Sequence, residues 1–122
     1  MTNNYDLGER CERPWGKWAV IDKGQGFIVK RVEVISGERL SLQYHNHRYE
    51  VWAIVQGKGE VIVDGTKREV AVGDTVIVPK KSHHRISSTG DEALVFIETQ
   101  VGEILDEQDI VRLEDDYKRK ED

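Results

Sequence analysis

The chain has 122 residues, 38% hydrophobic and 34% charged, with 18 Lys and Arg against 23 Asp and Glu for a formal net charge of -5. That length supports one domain with its own core and leaves no room for a second. Basic residues are interspersed with acidic ones, so no cationic face is expected for a nucleic-acid backbone, and no apolar run approaches the ~20 residues of a membrane span.

The opening segment MTNNYDLGERCERPWG carries neither the basic start nor the apolar stretch of a secretory signal, so a cytoplasmic address is the expectation. Residues 1–12 read as an N-terminal arm of the single domain, residues 1–122. Cys11 is the one cysteine. This excludes an internal disulfide and any multi-cysteine metal site, so a metal has to be held by His, carboxylate or amide groups. From there, short Val- and Ile-rich runs punctuated by glycine every ~8–12 residues predict an antiparallel sandwich or barrel. Strands are expected near 17–22, 26–35, 39–46, 50–56, 59–64, 67–72, 75–78, 84–88 and 93–100. Asp64-Gly65 is the strongest hairpin signal among the turns. After Glu103 the pattern changes to a short helical turn at Asp106–Asp109, an extended segment, and a charged tail from Lys118 to Asp122. Trp15 and Trp18 are expected to cover an edge or an interface, and Trp52 and Phe96 to fill the interior.

The segment GERLSLQYHNHRYEVWAIVQG carries the chemistry. In a strand Gln43, His45 and His47 share one face, and a turn at His47–Tyr49 lets Glu50 face them from the neighbouring strand. Downstream, GDTVIVPKKSHHRISS returns His83 and His84, one of which can enter the same pocket. Imidazoles, a carboxylate and an amide oxygen form a mixed N/O set with open positions, which suits a divalent transition metal better than calcium. Glu98 has the strand phase of Leu94 and Phe96, and an inward carboxylate there needs a functional partner.

These residues resemble the cupin family, small jelly-roll barrels also described as double-stranded β-helices. The first cupin motif, G-x5-H-x-H-x4-E-x6-G, falls on Gly37, Gln43, His45, Glu50 and Gly57, with Gln43 in place of the first His. The second, G-x5-P-x-G-x2-H-x3-N, falls on Gly73, Pro79 and His84, with Lys81 and Ser88 replacing Gly and Asn. The resemblance therefore assigns Gln43, His45, Glu50 and His84 as ligands of one divalent ion, zinc first, with iron, manganese, cobalt or nickel as alternatives. It leaves His47 and His83 outside the quartet.

RPWG at Arg13–Gly16, LSLQYHNHRYEVW, FIETQVG and DIVRLEDDY further resemble the isomerase half of type II phosphomannose isomerase/mannose-1-phosphate guanylyltransferases. The resemblance runs from Arg13 to Tyr117 and lacks the guanylyltransferase half, so nucleotide-sugar synthesis is not expected. It implies an all-β cupin domain that interconverts mannose 6-phosphate and fructose 6-phosphate through an enediolate, with a metal as Lewis acid and a protein base moving the proton. His47, His83, Glu98 and Glu50 remain open as the base. Arg85 is the preferred cation for the transition state or phosphate, with Arg48, Lys80 and Lys81 as further substrate contacts. The hexose phosphate is the expected partner, and a homodimer is expected by analogy. A metal-dependent cupin enzyme of another reaction, such as a dioxygenase or epimerase, and a non-catalytic sugar-binding cupin are the alternatives.

Overall fold

The computed structural model describes residues 2–118, and the part of the expected charged tail at residues 119–122 lies outside them. In chain order the strands are β1 (Thr2–Asn3), β2 (Arg10–Arg13), β3 (Gly16–Gly24), β4 (Phe27–Val34), β5 (Leu42–Tyr44), β6 (Arg48–Gln56) and β7 (Lys58–Val63). They continue as β8 (Thr66–Ala71), β9 (Thr75–Val78), β10 (His84–Ser88), β11 (Leu94–Gly102), β12 (Ile104–Leu105) and β13 (Val111–Glu114). The described residues contain no helix. One sheet has the order β2-β3-β4-β11-β6-β9 and the facing one β13-β5-β10-β7-β8, both antiparallel, while β1 and β12 form a short parallel pair. This is the antiparallel two-sheet barrel that the strand and turn pattern predicts, in the jelly-roll form that the cupin resemblance implies.

The expected strands at 75–78 and 84–88 coincide with β9 and β10. The stretch at 39–46 pairs only over β5, with an isolated bridge from Arg39 to Ser87. Residues at the chain ends do more than the sequence pattern indicated. β2 adds an edge to β3, β1 pairs with β12, and Tyr5 between them is 2% exposed. Cys11, in the expected N-terminal arm, lies within β2 and packs against the core. Trp15 and Trp18 are both buried in the interior, not on an edge. β1, β2 and β12 have no run of alternating apolar residues to announce them in sequence; they form because neighbouring edges offer unpaired N–H and C=O groups.

The interior is divided along the strands. Inward positions of β4 read Ile28, Lys30, Val32, Val34; those of β6 read Arg48, Glu50, Trp52, Ile54; those of β11 read Leu94, Phe96, Glu98, Gln100. The pairings Glu98 with Trp52 and Lys30, and Phe96 with Ile54 and Val32, align these phases across the sheet. One end of the barrel is therefore apolar, closed by Val61 and Ile86 from the facing sheet, and the other end is polar. Trp52 marks the boundary, with its ring 4.9 Å from Phe96 on one side and 5.7 Å from the His84 ring on the other. Burying the apolar end, at roughly 1.5–3 kcal/mol per large side chain, supports the desolvated charges of the other end.

Gly57, between β6 and β7, has φ +80°, and a Cβ there would stand 2.7 Å from the carbonyl oxygen of Ala93. Both the backbone conformation and the space demand glycine. Gly57→Ala is expected to destabilise the fold by about 1–3 kcal/mol, read as a lower midpoint in urea denaturation.

Candidate functional site

The polar end is built around the corner between β5 and β6. The strand ends at Tyr44, and the Asp109 carboxylate accepts the backbone N–H groups of Asn46 (2.9 Å) and His47 (3.0 Å). The corner carries the chain from one sheet to the other, so Glu50 faces Gln43 and His45 across the barrel interior, not from a neighbouring strand of the same sheet. β10 pairs with β5 in the register His84 to Gln43, which brings the second histidine alongside. His45, Glu50 and His84 each present a ligand atom, all within 4.8 Å of one another.

The hydrogen bonds orient these donors. His45 Nδ1–H donates to the Asp109 carbonyl at 2.6 Å and His84 Nδ1–H to the Ser82 carbonyl at 2.9 Å, which leaves both Nε2 lone pairs for the site. Burial, with the Arg48 charge adding to it, lowers the His45 imidazole to about 4, and burial also lowers His84, so both rings are neutral at physiological pH. Burial by itself would raise the Glu50 carboxyl, but the adjacent Arg48 guanidinium overrides it and holds the group ionised. Arg48 Nε donates to Glu50 Oε2 at 2.8 Å and Trp52 Nε1–H to Oε1 at 2.9 Å, and each oxygen keeps a second lone pair. Gln43 directs its amide N–H to Ser41, leaving the carbonyl oxygen as its offering. Two neutral imidazoles and one carboxylate, buried and held by outer partners, are the donor set of an open divalent-metal site, so these residues fit the metal.

All of these groups line one cavity of about 60 Å³, together with Glu98, Lys30, Trp18, Arg13, Arg112 and Glu107. Glu98 projects inward as its phase predicts, 8% exposed, and accepts a 2.6 Å hydrogen bond from Gln100. Burial first, and the Glu50 charge second, raise its carboxyl to about 8.

A model of the family described as "Mannose-6-phosphate isomerase C-terminal" matches residues 2–115. The chain belongs to the mannose-6-phosphate isomerase C-terminal family. Among relatives, it is 39% identical over 117 residues to the mannose-1-phosphate guanylyltransferase ManC of Salmonella typhimurium, covering 96% of this chain and 24% of that protein. It is 42% identical over 111 residues to the alginate biosynthesis protein AlgA of Pseudomonas aeruginosa, covering 89% and 23%. The chain thus spans about a quarter of the length of these relatives. Among solved structures, the Schizosaccharomyces pombe Cnp3 cupin domain superposes with a TM-score of 0.68 at 28% identity, covering 70% of this chain and 64% of that one. An oxalate decarboxylase of Lactobacillus farciminis does so with 0.74 at 26% identity, covering 86% and 33%. The fold is a cupin barrel.

The structure separates the family's expected site residues into two groups. Gln43, His45, Glu50, His84, Glu98 and Arg48 meet in the cavity. His47, Arg85, Lys80 and Lys81 do not. His47 is turned outward at the corner because its N–H is pinned by Asp109 and β5 has already ended. Arg85 neighbours His84 and so points to the other face of β10, where it donates to the carbonyls of Leu40 and Glu114. Lys80 and Lys81 are exposed; Lys81 has φ +65°, so the backbone keeps the conformation of the cupin motif's glycine at that place. His83 is exposed and its ring stacks on Tyr44 outside the cavity. Arg48 is committed to Glu50 and to the carbonyls of Asp106 and Asp109, which makes it a positioning residue for the carboxylate.

The cations that do reach the cavity beside Arg48 are Arg13, Lys30 and Arg112. Lys30 had a signal in sequence: it occupies the inward phase of Ile28, Val32 and Val34, as Glu98 does among Leu94 and Phe96. Glu107 had none, since it comes from a turn. Its carboxylate takes Lys30 Nζ at 2.8 Å, Arg13 Nη2 at 3.3 Å and the Tyr5 hydroxyl. Burial opposes its ionisation, but Lys30 and these hydrogen bonds lower the carboxyl from 4.5 to about 2. A depressed carboxyl contributes stability that is complete above the unfolded value near 4.5 and is lost as pH falls toward 2. Thermal melts should accordingly show Glu107→Gln less stable than the parent at pH 6, with the two converging by pH 2.

Proposed function

We propose that this domain is a metal-dependent aldose–ketose isomerase that interconverts mannose 6-phosphate and fructose 6-phosphate. The observation that carries the reading is the meeting, in one cavity, of the His45/Glu50/His84 donor set with a buried carboxyl, Glu98, held outside that set. The match to the family described as mannose-6-phosphate isomerase C-terminal supports it.

His45, Glu50 and His84, with the Gln43 carbonyl, would hold a divalent ion, which would supply Lewis-acid stabilisation of the developing enediolate charge. Glu98 removes the proton from C2 of the open-chain aldose and returns it to C1, while the O2 hydroxyl proton is transferred to O1. Its raised carboxyl, near 8, lies in the range where one group can both accept and release a proton around neutral pH. Trp52, with Phe96 packed behind it, gives the cavity an apolar wall, and the proton held on Glu98 exchanges with solvent before its delivery to C1. Arg48 fixes Glu50, and the Asp109 and Ser82 carbonyls fix the two imidazoles.

The decisive measurement is incubation with mannose 6-phosphate and zinc, manganese, iron, cobalt or nickel in heavy water. Fructose 6-phosphate carrying deuterium at C1 is the expected product. A protein that binds one equivalent of metal and turns over with none of the five would overturn the proposal. Glu98→Gln keeps the acceptor for Gln100 and should lower kcat by about 10²- to 10⁴-fold with metal content unchanged. His84→Ala should instead leave the protein substoichiometric in metal by elemental analysis.

A further inference from the structure

Lys30, Arg13 and Tyr5 come from three separated places in the chain and converge on a single carboxylate. Lys30 is 4% exposed, and its Nζ lies 3.8 Å from the centroid of the Trp18 ring and 4.6 Å from that of Tyr5, so aromatic faces hold the ammonium in place independently of Glu107. Glu107 is held differently. It sits at the crown of the turn closed by Asp109 N–H to the Asp106 carbonyl, and its side chain is 30% exposed. The ends of that turn are fixed by the fully buried Leu105 and by Asp109. The carboxylate can therefore rotate to solvent without movement of the backbone.

Charge and space argue in the same direction. Two cations, Arg13 and Lys30, face one carboxylate, while the charge of Arg48 is already matched by Glu50. A dianion in place of the Glu107 carboxylate would balance the pair. The enclosed part of the cavity, about 60 Å³, holds a few waters, so a phosphate seated there competes with the Glu107 carboxylate for the same donors. Glu107 is the lining carboxylate with a route outward.

We propose that Arg13, Lys30 and the Tyr5 hydroxyl form the subsite for a phosphate monoester dianion, in which the Glu107 carboxylate stands in for the phosphate and must swing out for the ligand to bind. The inference rests on the sugar-phosphate reading above and names the place where its anionic end is recognised. Three donors directed at two carboxylate oxygens match the tetrahedral oxygens of a phosphate, and the same cavity holds the metal donors at which the sugar's carbonyl end would lie.

Inorganic phosphate binding to chelator-treated protein, measured by calorimetry at pH 8, tests the subsite without calling on metal or turnover. Glu107→Ala and the near-isosteric Glu107→Gln should each bind phosphate at least about tenfold more tightly than the parent, and Lys30→Met added to either should abolish the gain. In the parent protein, saturating phosphate should shift the side-chain ¹⁵N resonances of Arg13 and Lys30. Affinity unchanged or weakened in both Glu107 variants, a gain that survives Lys30→Met, or silent Arg13 and Lys30 resonances would overturn the proposal. Phosphate bound as expected by a protein that fails to isomerise mannose 6-phosphate would sink the isomerase reading alone.

Discussion

The structure depends on what Asp109 does at the corner between β5 and β6. Its two carboxylate oxygens take the N–H groups of Asn46 and His47, and its carbonyl takes Nδ1–H of His45. Backbone donors that would be orphaned where the chain leaves one sheet for the other are thereby satisfied. The same residue sets the tautomer of a metal-facing imidazole. Because Asp109 lies between β12 and β13, the site is complete only with that segment seated against the β5–β6 corner.

Placing charge in this interior has a cost that the barrel distributes. Arg48 and Glu50 are both almost fully buried and bonded to one another, an arrangement in which removal of either partner typically costs about 3–5 kcal/mol because the other is left stranded. Trp52 joins the apolar and polar halves: its ring packs on Phe96 and its indole N–H fills an acceptor on Glu50. Each functional group thus has surroundings that define its protonation state, and these differ in kind. Burial keeps the imidazoles neutral while carbonyls bonded to Nδ1–H turn the Nε2 lone pairs inward, a guanidinium keeps Glu50 ionised, and an apolar wall beside a like charge pushes Glu98 upward. Two carboxyls in one cavity are driven to opposite states, the pairing of ligand and proton carrier that the proposed isomerase calls for.

The second cluster, around Glu107, obeys the same rule with a different consequence. Lys30 is anchored by aromatic rings and Glu107 by a turn, so the cationic side is rigid where the anionic side can exchange. This asymmetry separates a binding pocket from a structural ion pair. It also joins the chain's two ends at the cavity, with Tyr5 and Arg13 from one and Glu107 from the other.

Much of this was legible in the amino-acid sequence. Alternation and glycine punctuation determine the strands, because period-2 burial and positive-φ turns are local demands on residue type. The motif spacings determine His45, Glu50 and His84 as a set, and strand phase alone turns Glu98 inward. The tertiary structure decided which charges share the cavity. Arg85, Lys80, Lys81 and His47 are near the ligands along the chain, but adjacent residues of a strand face opposite ways and a corner redirects the residues beyond it. Lys30, Arg13, Tyr5 and Glu107 are distant in sequence, and they meet because closing two sheets into a barrel brings both chain ends to its polar mouth. Nearness along a strand is a local property; convergence on a cavity is set by sheet pairing across the molecule, which no short window of sequence contains.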